Sequence, residues 1–245
     1  MAAPASLFRL GIQSYCYRKF SLDQAIGMAQ SLRLHFIEIY PGHASHEATA
    51  AEAAAVRARL ADAGMQQSAY GVVKLSNDAE TLRQVFEHCR RMGVPVISAD
   101  PDPAPDCFNL LERFVAEYDI RVAVHNHGAR HRWSLAQQIL DAIQDYDPRI
   151  GVCLDTSWAI DAGEDPAAAI RLLAPRLYGI HLKDSTGTED VAVGTGRLDL
   201  PGTLRALRDV GFDGSFSLEY ENFPEVPQPY LEQCAEATRR ELARL

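Results

Sequence analysis

Eight short apolar runs recur along the chain at near-constant intervals: "LFRLGIQS", "LHFIEIY", "MQQSAYGVV", "GVPVISA", "IRVAVHN", "RIGVCLD", "RLYGIHLK" and "GSFSLEYE". Each reads as a strand of about five or six residues, rich in Val, Ile, Leu, Phe and Tyr. Between them lie helical patterns with recognisable boundaries. "SLDQAIGMAQSL" opens with Ser21 and Gln24 at capping-box spacing, and "SLAQQILDAI" repeats the spacing with Ser134 and Gln137. "DAETLRQVFEHCRRMG" runs from an expected Asp78 cap to a Gly93 stop. "EDPAAAIRLL" and "LPGTLRALRDVG" place proline near a helix start. The alanine-rich "HEATAAEAAAVRARLADAG" reads as an ordinary outer helix.

Strand–helix alternation at roughly 30 residues per unit predicts parallel strands joined by crossover helices. Eight units in 245 residues predict a closed (β/α)8 TIM barrel, an α/β fold of about that length. An open doubly wound sheet for a dinucleotide would show G-x-G-x-x-G after its first strand. "LGIQSYCYRKF" does not, and no P-loop occurs. The late "VGTGRLDL" lacks the third glycine; its backbone amides are a weak candidate for cradling a phosphate. With no linker or low-complexity break, one domain over residues 1–245 is expected.

Composition narrows the function classes. The net charge of −9 shows no basic field for duplex nucleic acid, so no nucleic-acid partner is expected. No stretch reaches the ~18 apolar residues of a membrane span, and "MAAPASLFRLG" does not read as a signal peptide. The five cysteines are scattered, with no CxxC pair, which points to a reduced, cytoplasmic compartment. Cys16 and Cys153 read as small buried residues.

Barrel chemistry collects at the C-terminal ends of the strands. There the second run gives Glu38 and then His43, and the fifth gives His125 and His127 in "VAVHNHGARH". The sixth gives Asp155, the seventh His181, Lys183 and Asp184, and the eighth Glu219 and Glu221. A charged group in an apolar strand is costly unless paired or metal-bound, and five such strand ends would share one mouth. His125 and His127 share a face, as do His181 with Lys183 and Glu219 with Glu221. The earlier member of each pair is expected to point into the mouth and the later one to sit nearer solvent. Asp155, His181 and Glu219 form a mixed nitrogen and oxygen donor set, and His125 would complete four metal ligands. Such a set suits Mn²⁺ first, with Fe²⁺, Co²⁺, Zn²⁺ or Mg²⁺ as alternatives.

At these residues the chain resembles the sugar phosphate isomerase/epimerase-like family of xylose-isomerase-type TIM barrels. That family includes ketose 3-epimerases, inosose dehydratase and a dehydroshikimate dehydratase, with endonuclease IV as a distant relative. "GVCLDTSWAIDAGEDP", "YGIHLKDS" and "VGTGRLDLPGTLRALRDVGFDGSFSLEYE" carry the resemblance, which covers nearly the whole chain. It implies a divalent metal held by a strand-five Glu, a strand-six Asp, a strand-seven His and a strand-eight Glu. Asp155, His181 and Glu219 match in type, whereas His125 stands at the strand-five position. Trp158 stands where the family often has a His after the strand-six Asp.

In the epimerases of this family two glutamates on opposite faces of the substrate exchange a proton next to the carbonyl. His125 in place of one of them breaks that scheme and strengthens one-base chemistry. Glu219 is then the expected base, with Glu38, His127 and Lys183 as candidates for further acid–base work. Trp158, Lys183, Glu38 and His43 are candidate substrate contacts; His46 and His131 are expected to face solvent. The leading expectation is a metal-dependent carbohydrate isomerase or epimerase acting on a small-molecule substrate. The alternative is a metal-dependent lyase that dehydrates a keto-sugar or keto-cyclitol. A nuclease and a non-catalytic sugar-binding barrel are weaker alternatives. The chain leaves little room for long capping loops, so the mouth is either open or closed by a second subunit of a homo-oligomer.

Overall fold

A computed structural model describes residues 8–245. The reading of "MAAPASLFRLG" as lacking a signal peptide therefore falls mostly outside the described residues. Eight parallel strands close into a barrel: β1 (Leu10–Gln13), β2 (Phe36–Ile39), β3 (Gln66–Leu75), β4 (Val96–Pro101), β5 (Arg121–His125), β6 (Ile150–Asp155), β7 (Leu177–Leu182) and β8 (Ser215–Leu218). Each strand pairs with its sequence neighbours, and β8 closes onto β1. β4 and β6 are buried along their whole length, as expected where helices cover one face of a strand and the barrel interior the other. The expected (β/α)8 fold is observed.

Nine helices surround the barrel among the described residues: α1 (Leu22–Ser31), α2 (Ala50–Asp62), α3 (Ala79–Met92), α4 (Pro105–Tyr118), α5 (Ala136–Ile143), α6 (Thr156–Asp161), α7 (Pro166–Leu173), α8 (Leu200–Asp209) and α9 (Gln228–Leu242). The capping box at Ser21 and Gln24 forms, and Thr49 with Glu52 makes a second one that opens α2. Asp78 caps α3, and Gly93 ends it at φ 72°, a left-handed conformation that glycine adopts without a Cβ clash.

The box expected at Ser134 and Gln137 does not form. α5 begins one residue later than that spacing requires, with Leu135 at its N-cap. Ser134 bonds Gln138 instead, and the Glu164 carboxylate accepts the free Ala136 N–H at 3.1 Å. A carboxylate from the following β/α unit thus does the capping.

The main core lies between the barrel and its helices; a small cluster of Ala69, Val96, Ala123 and Cys153 forms separately. All five cysteines are buried and unpaired. No helix among the described residues is long and apolar enough to cross a membrane.

Candidate metal centre and active-site cavity

β5 to β8 deliver the candidate ligands by register. Asp155 and His181 are direct cross-strand partners at the ends of β6 and β7. His125 pairs with Cys153, two residues earlier on β6. Glu219 follows β8 and donates its backbone N–H to Leu182 O at 3.1 Å, which sets it beside the end of β7. One donor atom from each of His125, Asp155, His181 and Glu219 falls in a group whose members all lie within 4.8 Å of one another, and all four residues are buried.

The donors crowd one another at short distances. His125 Nε2 lies 3.0 Å from His181 Nδ1 and 3.8 Å from Asp155 Oδ2. Glu219 Oε2 lies 3.0 Å from His181 Nδ1. Asp155 divides its oxygens: Oδ1 caps α6 by accepting Ser157 N–H at 2.9 Å and Trp158 N–H at 3.0 Å. Oδ2 is buried with no hydrogen-bond partner. A buried carboxylate oxygen that has no hydrogen bond, lies 3.6 Å from Lys183 Nζ and shares its place with two imidazole nitrogens and a second carboxylate is the donor chemistry of a divalent cation site.

The surroundings hold these candidate ligands in place. His181 Nε2 bonds Glu38 Oε2 at 3.0 Å, and Ser217 donates to the same oxygen. A carboxylate behind a ligating histidine fixes its tautomer and ring orientation. Asn126, between the two histidines of "HNH", donates to Asp155 O at 3.0 Å and accepts Asp155 N–H at 2.7 Å, tying β5 to β6. Gly128 lies tight against α6: a Cβ there would sit 2.3 Å from Asp161 Oδ2 and 3.1 Å from Trp158.

Electrostatics follow from burial and charge. Burial pushes the Asp155 carboxyl up to about 7, although Lys183 beside it pulls the other way. Burial works against a charged His181, but Cys153, Glu38 and Glu219 override it and hold its pKa well above the ordinary range. Burial and the neighbouring His181 hold His125 well below the usual imidazole value. Burial and His131 lower His127 to about 4, so it is neutral at pH 7. For Glu38, burial alone would raise the pKa, but the bonded His181 outweighs it and lowers the carboxyl from its ordinary value.

A cavity of about 300 Å³ opens above the cluster, at the low end of the small-molecule range. His125, His127, Trp158, Glu219 and Glu221 line it. So do Lys74, Asp100 and Tyr15, which the strand-end reading passed over. Asp100 lies near the end of β4 and Lys74 near that of β3, so the rule that singled out the other strands applied there too.

Three candidates sit elsewhere than expected. Glu38 is fully buried beneath the ligands and not in the cavity wall. Lys183 is not nearer solvent than His181: it is fully buried. Its Nζ pairs with Glu221, with Asp190 at 3.3 Å and with Asp155 at 3.6 Å, under the Trp158 ring. Burial opposes its charge, and Asp155 and Glu219 lead the carboxylates that override that cost. His43 bonds Phe20 O at 3.0 Å and faces a separate groove beside α2, away from the mouth. His131 is only partly exposed, its ring packed 4.2 Å from that of His127.

The glycine-rich "VGTGRLDL" cradles no external anion. Asp184 fills the nest: Oδ2 accepts the Gly194 and Gly196 N–H groups at 2.9 Å, and Oδ1 accepts those of Ser185 and Leu198. A phosphate would have to displace this buried carboxylate.

The sequence profile described as xylose isomerase-like TIM barrel matches residues 26–242. Inosose dehydratase from Klebsiella pneumoniae is 27% identical over 147 residues, covering 50% of this chain and 48% of the relative. The match thus spans about half the length of the curated relatives. Among solved structures, D-psicose 3-epimerase from Clostridium cellulolyticum H10 superposes with a TM-score of 0.77 at 14% identity, covering 95% of this chain and 99% of that one. L-ribulose 3-epimerase gives 0.77 at 17% identity, covering 96% and 94%. At such identities the structural likeness speaks for the fold alone. The profile match over most of the chain, together with the closed barrel, shows that this protein belongs to the xylose isomerase-like TIM barrel family.

Proposed function

We propose that the protein is a metal-dependent carbohydrate isomerase or epimerase that removes a proton next to a substrate carbonyl. The observation behind this reading is the convergence of His125 Nε2, Asp155 Oδ2, His181 Nδ1 and Glu219 Oε2 beneath a small cavity. These residues would hold the divalent metal, which when bound supplies Lewis-acid polarisation of a carbonyl and its neighbouring hydroxyl. Mn²⁺ is the first choice for this donor set, with Zn²⁺, Co²⁺, Fe²⁺ or Mg²⁺ as alternatives.

The chain's own groups then divide the work. Glu219 lines the cavity and acts as the base that takes the substrate proton. His127 lines the cavity from the β5 side and, being neutral at pH 7, offers a ring nitrogen to a substrate hydroxyl. Trp158 closes one wall and limits water access. Glu38 and Lys183 serve as positioning groups: the first orients His181, the second holds Asp155 and Glu221.

A second reading, dehydration of a keto-sugar or keto-cyclitol, draws on His125. With imidazole at that position no second strand-end carboxylate faces Glu219 from β5, and β-elimination of water needs one base rather than two. The partial match to inosose dehydratase supports the same reading. Candidate ketoses incubated with the metal-loaded protein in deuterated water separate the two. Deuterium retained in an intact carbon skeleton is the expected result. An enone absorbance would replace the isomerase reading with the lyase one, and neither signal from a broad panel would contradict both.

A further inference from the structure

The charges around the cavity are paired except for one. Glu219 meets His181 at 3.0 Å, and Glu221 meets Lys183. Asp100 meets Arg132 at 2.8 Å, with His131 Nε2 at 3.7 Å from its other oxygen. Lys74 lines the same cavity, and its side chain has no ion pair or hydrogen bond among the described residues. It has an obvious candidate partner: Lys74 and Asp100 are direct cross-strand neighbours on β3 and β4. Asp100 nevertheless turns to Arg132 and His131, which leaves the Lys74 ammonium at the mouth with its charge uncommitted. A cation left over where every carboxylate already has a partner is complementary to an anion brought by the ligand.

We infer that Lys74 binds a carboxylate on the substrate, so that the natural substrate is a small polyhydroxy keto acid rather than a neutral sugar. This assignment rests on the proposed proton-abstraction chemistry, in which the other end of the substrate sits over the ligand cluster. One free ammonium balances one carboxylate. A phosphate, near two negative charges at pH 7, would exceed it beside Glu219, Glu221 and Asp100. The Asp184-filled nest offers no second anchor for a phosphate.

Binding, read independently of turnover, tests the inference. The metal-loaded protein is titrated by calorimetry with each D-ketohexose, its 6-carboxylate and its 6-phosphate. A charge-assisted contact predicts that at least one carboxylate binds about tenfold more tightly than its neutral counterpart. Lys74→Met removes that preference while leaving affinity for the neutral sugar, and Lys74→Arg restores most of it. Lys74 is exposed at a strand end, and matching thermal melts of both variants establish that they fold. No carboxylate preference in the panel, or a preference that survives Lys74→Met, overturns the inference. A Lys74-dependent preference for the phosphates over the carboxylates overturns it as well. Lys74-dependent carboxylate binding without proton exchange would sink the proton-abstraction reading alone. Proton exchange on neutral ketoses without any carboxylate preference would sink this inference alone.

Discussion

Glu38 governs the ligand cluster from behind, because His181 Nε2 is bonded to its carboxylate while Nδ1 faces the other donors. It is buried and does not line the cavity, which is why the proposed function gives it a positioning role and not that of a base. Glu38→Ala frees the His181 ring to rotate and leaves its Nε2 unpaired. Metal affinity, measured by chelator competition, is expected to fall about 10–100-fold, with Glu38→Gln closer to wild type. An unchanged affinity in Glu38→Ala would show that the pair does not orient the ligand. At this scale the sequence was readable in part. Polar groups ending apolar strands marked Glu38, Asp155, His181 and Glu219, but a strand pattern says which way a side chain points and not how deep it lies. Lys183 shows the limit: a period of two put it on the same face as His181, yet its burial comes from Asp190, Glu221 and Trp158, which arrive from distant segments. Asn126 gave no signal because its partner is the Asp155 backbone, and such a bond depends on register.

The segment after β7 is organised by one carboxylate. Asp184 is buried and accepts four backbone N–H groups, those of Ser185, Gly194, Gly196 and Leu198. It folds the excursion between β7 and α8 against the barrel end, next to Asp190, which meets Lys183. Asp184→Ala strands the two buried amides of Ser185 and Leu198, each worth about 1–3 kcal/mol when left unpaired, and releases the more exposed ones of Gly194 and Gly196. Stability by urea denaturation is expected to drop by about 3 kcal/mol or more. A loss under about 1 kcal/mol would mean that the loop finds other acceptors. The sequence pattern placed β1 to β8 and most helices because strand runs and caps are local signals. It misplaced the start of α5 because the capping group there is Glu164, in the next unit. It offered the glycine-rich loop as a weak candidate for an anion nest, because the filling carboxylate lies ten residues earlier than Gly194.

In the proposed metal site, cation binding would be coupled to pH. Asp155 titrates near 7 in the folded protein against an ordinary 3.8, and His181 is raised above 6.5. Both groups bind more protons folded than unfolded between their ordinary and shifted values. In the metal-free protein their contribution to stability therefore falls as pH rises through that window. A cation takes only the deprotonated ligands, so its uptake expels protons and its stabilising effect grows with pH. The increase in melting temperature on adding Mn²⁺ is expected to be larger at about pH 8 than at about pH 5.5. Equal increases would argue against these ligands. The closed barrel was legible from eight evenly spaced apolar runs. The identity of the substrate was not, since cavity groups such as Lys74, Asp100 and Tyr15 come from three separate strand ends and meet only in the closed fold.

Everything proposed about the chemistry depends on a cation held by His125, Asp155, His181 and Glu219. Elemental analysis of protein dialysed against Mn²⁺ and then freed of excess metal tests this directly. About one ion per chain is predicted for the wild type, falling to a small fraction in Asp155→Ala and His181→Ala. Less than about 0.3 ion per wild-type chain, or full occupancy in both variants, would contradict the account.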